Sequence, residues 1–253
     1  MLYLVANTLD HGEKSRGDVR DVLPQGTLEV AARLRFWIVE NAKSARAFLN
    51  RVNAVVPLAV PLREMNIVEL SRQAHKKGDH AQPADAATRR LLQPALDGHD
   101  VGLLSEAGMP AVADPGTAVV RAAHELDIGV VPLVGPSALL LAVAASGMNG
   151  QNFAFVGYLP QDAAARSQRI RELERTARRT GQTQLFIETP YRNAALLDAL
   201  LATLTDSTRL SLHSGLTLAE ARSRTATAAQ WRAKERAAHV AFLQHPTLFA
   251  VGI

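Results

Sequence analysis

Two bends in the chain carry the residue types most able to do chemistry. Ser105-Glu106-Ala107-Gly108-Met109-Pro110 follows one short apolar run, Val101 to Leu104, and Gly135-Pro136-Ser137-Ala138 follows another, Val130 to Leu133. Gly108 and Gly135 carry no side chain, so a ligand can approach the backbone amides there, although a glycine in a bend can also do no more than close a turn. Four carboxylates lie at or near such run ends: Glu40, Glu106, Asp114 and Glu188. A carboxylate beside a ligand loop can accept a proton or orient a nucleophile. Asp114-Pro115-Gly116 reads first as a helix start, with Asp114 as N-cap.

The elements that must hold these bends follow from periodicity. The stretch from 101 to 147 reads strand, loop, helix, strand, loop, helix. Ala118, Val119, Ala122, Ala123 and Leu126 recur at helical spacing, and Ala138 to Ala145 is a very apolar helix stopped by Gly147. Such units build parallel sheets with right-handed crossovers, so both bends leave the same sheet edge. Ligands of open parallel sheets bind beyond that edge.

Elsewhere, Leu2 to Ala6 and Phe36 to Val39 read as strands, and Asn7 to Gly26 as a long connection. Ala45, Phe48, Leu49 and Val52 mark one helix, and Ile67, Leu70 and Ala74 predict another over 66–77. Pro83 to Leu96 is a helix candidate interrupted at Pro94. Beyond Met148-Asn149-Gly150, a turn that could open a second domain, Phe153 to Val156, Gln184 to Ile187 and Arg209 to His213 predict strands. Ala163 to Thr180 and Ala194 to Leu204 predict helices. In the tail, Ala229 to Ala238 could be helical, while Val240 to Leu243 and Leu248 to Val251 read as closing strands.

Composition removes several classes of function. The chain has 253 residues, enough for two domains, with 47% hydrophobic and 21% charged residues. It has no cysteine, which excludes disulfides, thiolate zinc sites and cysteine nucleophiles. Only His75 and His80 lie close together among the histidines, and no metal is expected. No apolar run is long enough to span a bilayer, and the N-terminus turns polar too soon for a signal peptide, so a cytoplasmic protein is expected, with no membrane partner. No two glycines stand two residues apart and there is no G-K-S/T, so the usual dinucleotide and P-loop signatures are absent. No G-x-S-x-G elbow is present.

Four blocks, taken in order, resemble the tetrapyrrole-methylase superfamily. Ser105-Glu106-Ala107-Gly108-Met109-Pro110 with Asp114-Pro115-Gly116 is similar to its S-(D/E)-A-G-x-P…D-P-G signature. Pro132-Leu133-Val134-Gly135-Pro136-Ser137-Ala138 resembles P-L-x-G-P-(S/C)-A. Phe155-Val156-Gly157-Tyr158-Leu159-Pro160 resembles F-x-G-(F/Y)-L-P. Phe186-Ile187-Glu188-Thr189-Pro190-Tyr191-Arg192 resembles F-(Y/I)-E-(S/T)-x-x-R. The blocks point to the branch of ribosomal RNA 2′-O-ribose methyltransferases.

That resemblance implies two αβα domains, 1–134 and 135–253, the first with a mostly parallel sheet and the second with a mixed one. It implies S-adenosylmethionine bound between them, in a homodimer. The cofactor loops would be Gly108, Met109 and Pro110 together with Gly135, Pro136, Ser137 and Ala138, and Glu188 would line the second-domain side. The start of the chain departs from the branch: Val5-Ala6-Asn7-Thr8-Leu9-Asp10 stands where it has P-x-P-I-G-N-L, and Glu40-Asn41-Ala42-Lys43 where it has E-D-T-R.

Methyl transfer to a hydroxyl or amide needs in-line alignment and a base. Glu40 is the preferred base. RNA or a ribosomal subunit is the expected partner, with Lys43, Arg166 and Arg169 as contacts. Arg166 opens a run continuing through Arg171, Arg175, Arg178 and Arg179, which a solvated helix face would also explain. Two other readings stay open: a methyltransferase of a small, tetrapyrrole-like molecule, and a cofactor-binding interaction protein whose catalytic loop has decayed.

Overall fold

The structure is a computed structural model that describes residues 1–10, 17–71, 86–234 and 239–253. The chain divides into two compact units, Met1–Ser137 and Ala138–Ile253. The division falls after the Gly135-Pro136-Ser137 bend, which therefore belongs to the first unit.

The first unit holds a sheet of five parallel strands: β1 (Leu2–Val5), β2 (Phe36–Val39), β3 (Asn66–Glu69), β4 (Val101–Leu104) and β5 (Val130–Pro132). Their spatial order is β3-β2-β4-β1-β5. The central strands are short, apolar and buried, as parallel strands covered on both faces must be. Helices α1 (Gln25–Arg33) and α2 (Ala42–Asn53) supply one core, in which Leu28, Ala31, Phe48, Leu49 and Val52 meet Val5, Trp37 and Leu104. Helices α3 (Ala86–Leu91) and α5 (Thr117–Glu125), with α4 (Gln93–Leu96) between them in sequence, cover the other face through Leu92, Val119, Ala122 and Ala123.

The second unit holds a mixed sheet: β6 (Phe153–Tyr158), β7 (Thr183–Glu188), β8 (Arg209–Ser214), β9 (Arg222–Thr227) and β10 (Thr247–Gly252), in the order β6-β7-β10-β8-β9. Only β6 and β7 run parallel; the other pairs are antiparallel. Helices α7 (Ala163–Thr180) and α8 (Asn193–Thr203), with α9 (Ala228–Arg232), bury Ile170, Leu173, Leu196, Leu200 and Trp231 on one face. Helix α6 (Ala138–Ser146) packs on the other through Ala142 and Val143. The expected fold class, one parallel and one mixed sheet in two α/β units, is what the chain forms.

Three expectations fail, each for a physical reason. Residues 66–69 are strand β3, not helix: Ile67 and Val68 are β-branched, and the segment adds to the sheet edge by pairing Ile67 with Trp37. The rest of that predicted helix, with His75 and His80, lies largely outside the described residues. Asp114 is not an N-cap; Gly116, at φ +132°, stands there and the helix begins at Thr117. Residues 241–243 form a turn rather than a strand, because Phe242 and the preceding His239 are spent packing edge-on against Trp231, with ring centroids 5.6 Å away in each case. Strand β9, Arg-Ser-Arg-Thr-Ala-Thr, went unread because this edge strand is polar on both faces, with Ala226 its one apolar residue, and so shows no apolar alternation.

Candidate functional site

Strand order places the site in the first unit. β4 and β5 flank β1 and run parallel to it, so the segments that follow all three leave the same edge, side by side. The two glycine bends and the residues after Val5 are therefore neighbours. Asn7 and Gly108 exchange backbone hydrogen bonds: the Asn7 amide donates to the Gly108 carbonyl (2.9 Å) and the Gly108 amide to the Asn7 carbonyl (3.2 Å). A Cβ placed on Gly108 would lie 3.5 Å from the Pro136 carbonyl oxygen, so the second bend closes against the first.

The structure gives each glycine a reason of its own. Gly108 has φ +68°, and a Cβ on Gly135 would sit 2.2 Å from the Ala6 Cβ. The nearest thing to the Gly135 backbone is thus the chain after β1, not open space.

The loop after β4 is held in conformations that L residues avoid. Gly108, Ala111, Ala113 and Gly116 all have positive φ, and Ala111 and Ala113 carry a Cβ that makes this costly. Asn7 is one restraint. Its side-chain amide donates to the Ser105 and Glu106 carbonyls at 3.1 and 2.9 Å. Glu40 is another: its carboxylate accepts the Glu106 amide at 2.9 Å. The Glu106 carboxylate in turn accepts the Ser44 hydroxyl at 2.7 Å, on the first turn of α2. Ser44 and Lys43 stand there because Asn41 caps α2 by accepting both their amides. Glu40, expected as the base, thus also positions the β4 loop through this bond.

Asp114 presents a different picture. It is half-buried and has no hydrogen bond or ion pair among the described residues. Burial pushes its carboxyl up to about 7, and the Glu40 and Glu106 carboxylates push in the same direction. That value lets Asp114 gain or lose a proton near neutrality.

Beside these carboxylates lies a cavity of about 360 Å3, walled by Asn7, Thr8, Asp10, Asn41, Lys43, Ser44, Phe48, Arg51 and Glu106. That is the size range of a small-ligand site. Its wall is fixed by a mostly buried ion pair, Arg51 to Asp10 at 2.8 Å, with Arg51 also donating to Thr8 Oγ1 and the Gly17 carbonyl. Sequence reasoning missed Asn7, Asp10 and Arg51. Asn7 was findable, since it directly follows a strand at the ligand edge; the Asp10–Arg51 pair, forty-one residues apart, has no local signal.

A test of fit for the cofactor that the resemblance implies comes from Ser105. It ends β4, is 3% exposed, and its hydroxyl has no partner among the described residues. A buried hydroxyl left without a partner costs free energy unless something else bonds it. It stands directly before the Gly108-Met109-Pro110 bend, and these residues fit a polar ligand.

In the second unit Glu188 ends β7. Its carboxylate accepts the Thr189 amide (2.7 Å) and two bonds from the Arg192 guanidinium (3.0 and 2.6 Å). Ala138 is the first residue of α6. Arg166 is half-buried and donates to the Gln161 carbonyl, and Arg169 pairs with Glu172 at 3.2 Å. Lys43 lines the first-unit cavity.

Comparison with known proteins settles the family. The sequence pattern of the family Tetrapyrrole (Corrin/Porphyrin) Methylases matches residues 39–231. The chain belongs to this family. It is 41% identical over 127 residues to the ribosomal RNA small subunit methyltransferase I of Micromonospora olivasterospora, covering 50% of this chain and 39% of that protein. With the protein of the same name from Vibrio cholerae it shares 33% identity over 188 residues, 74% of this chain and 57% of the other. The chain thus spans about half the length of the curated relatives it matches. Among solved structures, the uroporphyrin-III-C-methyltransferase from Thermus thermophilus superposes with a TM-score of 0.54 at 18% identity, over 99% of this chain and 93% of that one. The methyltransferase CobJ gives 0.56 at 16%, over 99% and 92%. At these identities the likeness is one of fold.

Proposed function

We propose that this methylase-family chain is an S-adenosylmethionine-dependent methyltransferase whose acceptor is ribosomal RNA. The observation that carries the reading is the convergence of the segments after β1, β4 and β5 at one sheet edge, with an unpartnered Ser105 hydroxyl and a cavity of about 360 Å3 lined by Glu106 and Lys43. The names of its curated relatives supply the acceptor class.

In this reading Gly108, Met109 and Pro110, with Gly135, Pro136 and Ser137, hold the cofactor. The bound cofactor supplies an electrophilic methyl on a sulfonium. An acceptor hydroxyl taking that methyl would have to give up its proton. Asp114 takes that proton, being poised near neutral pH, while Glu40 keeps the loop in place. Lys43, at the cavity wall, faces an acceptor phosphate.

The same reading makes the protein cytoplasmic, which suits a cysteine-free chain with no helix among the described residues long and apolar enough to cross a membrane. It also makes it a homodimer. The support is α6, apolar on every side, whose Leu140 and Leu141 remain 59% and 38% exposed.

Calorimetry with S-adenosylhomocysteine, followed by transfer of tritiated methyl groups to purified small ribosomal subunits, tests the proposal. Binding and labelled RNA are expected. Binding without label in RNA would overturn the acceptor, and absence of binding would overturn the enzyme.

A further inference from the structure

The arginines of α7 are not equivalent. The helix buries Ile170, Leu173, Glu174 and Ala177. At about 100° per residue, Arg171, Arg175 and Arg179 fall within an arc of about 80° on the opposite, outward side. All three are exposed. They also differ from their neighbours in what they touch. Arg166 and Arg169 are half-buried and bonded to Gln161 and Glu172. Arg178 donates to Thr205, Ser207 and Thr208 and lies 3.8 Å from Glu174. Arg171, Arg175 and Arg179 have no ion pair or hydrogen bond among the described residues.

A solvated helix face places opposite charges three or four residues apart. Here the residues four apart are all cationic and repel one another. Glu172, three residues before Arg175, has its carboxylate taken by Arg169 and Gln168. The stripe therefore spends helix stability on an unneutralised row of positive charge. Its members recur about every 6 Å along the axis. A polyanion with regularly repeated charges matches that row.

We propose that Arg171, Arg175 and Arg179 form the line on which α7 binds the phosphate backbone of an RNA strand. This rests on the RNA reading above and names its surface. Three guanidinium groups in a row, without an aromatic among them, match backbone phosphates and offer no stacking platform for bases. A lipid surface fits less well, because the arc carries no large apolar side chain to insert.

The test compares the full chain with the triple variant R171Q/R175Q/R179Q, using a fluorescein-labelled single-stranded RNA of mixed sequence over a salt series. Binding is expected to weaken by about tenfold or more at moderate salt. The log–log salt slope should fall by about 2, at roughly 0.7 for each phosphate no longer neutralised. The variant R166Q/R169Q should change the slope less. Thermal midpoint and S-adenosylhomocysteine affinity should stay as in the parent, which shows that the triple variant folds. A parent that binds RNA with a triple variant of equal affinity and slope overturns this surface alone. A parent that binds no RNA but still binds S-adenosylhomocysteine overturns the acceptor reading as well. A reduced slope on phosphatidylserine vesicles or polyglutamate, with none on RNA, overturns the proposal in favour of those partners.

Discussion

A Cβ built on Gly135 would stand 2.2 Å from the Cβ of Ala6, closer than two carbons can pack. The contact joins the bend after β5 to the segment after β1, across the edge where the site is built. Gly135→Ala should therefore lower stability by about 1–3 kcal/mol, as overpacking does, and weaken S-adenosylhomocysteine binding in parallel. Ala6→Gly removes the obstructing methyl. The double variant A6G/G135A should recover much of the stability in urea denaturation, with a clear coupling between the two sites. Additive effects would mean that the two bends do not press on each other.

Asp114 gives a pH prediction. Its folded value, about 7, lies above the ordinary carboxylate value of 3.8. The folded chain therefore holds a proton that the unfolded chain has released between pH 4 and 7, and stability falls as pH rises through that window. Asp114→Asn should abolish this slope and be more stable than the parent at pH 8, by a few kcal/mol at most. Methyl transfer should behave oppositely: kcat/KM of the parent should rise through about pH 7, and the Asn variant should be slow and flat. A parent-like pH profile in the variant would remove Asp114 from proton transfer. Glu40→Gln, which still accepts the Glu106 amide, should keep most of the activity.

The parts of the fold that local chemistry dictates were legible. β2 and β4 were bounded correctly because they are buried runs with polar residues beyond them, and the face of α2 was read residue by residue from Ala45, Phe48, Leu49 and Val52. The two bends fall at one edge because the strands of successive strand–helix–strand units run parallel. What was not legible came from partners distant in sequence. β3 is a strand only because β2 offers it an edge, and Ile67, Leu70 and Ala74 mimic helical spacing by coincidence. Asp114 resembles an N-cap locally, but Gly116 at φ +132° starts the helix later and leaves the carboxylate half-buried beside Glu40 and Glu106. The contact of Glu40 with a backbone amide sixty-six residues away has no local signal.

The exposed side of α6 yields a prediction about assembly. Leu140 and Leu141 are leucines on a helix with no polar face, 59% and 38% open to water. A second copy covering them by a two-fold contact would remove that surface. Light scattering coupled to gel filtration should find a dimer for the parent and a monomer for L140E/L141E. Near-native thermal stability of the monomer would show that the side chains serve the interface, not the core of the unit. A monomeric parent at micromolar concentration would end the proposal.

His213 gives a second pH prediction, for the second unit. It lies in β8, fully buried, with Nε2 2.7 Å from the Ser211 hydroxyl and Nδ1 2.9 Å from that of Ser223 on β9. Ser211 is 2.7 Å from Thr225 Oγ1, which donates to the Ser146 carbonyl at the end of α6. The ring thus joins two strands and a helix through hydroxyls that can serve either neutral tautomer. Burial depresses its pKa from 6.5 to about 4. Between those values the unfolded chain binds a proton that the folded chain refuses, so the stability present above pH 6.5 is lost as pH falls toward 4. The loss from this one group is on the order of 3 kcal/mol. His213→Gln should be weaker than the parent at pH 8, having given up part of the network. Its urea midpoint should fall less on acidification, so the two proteins converge near pH 4.5. Parallel curves over that range would show that the imidazole titrates normally and that acid acts elsewhere in the molecule.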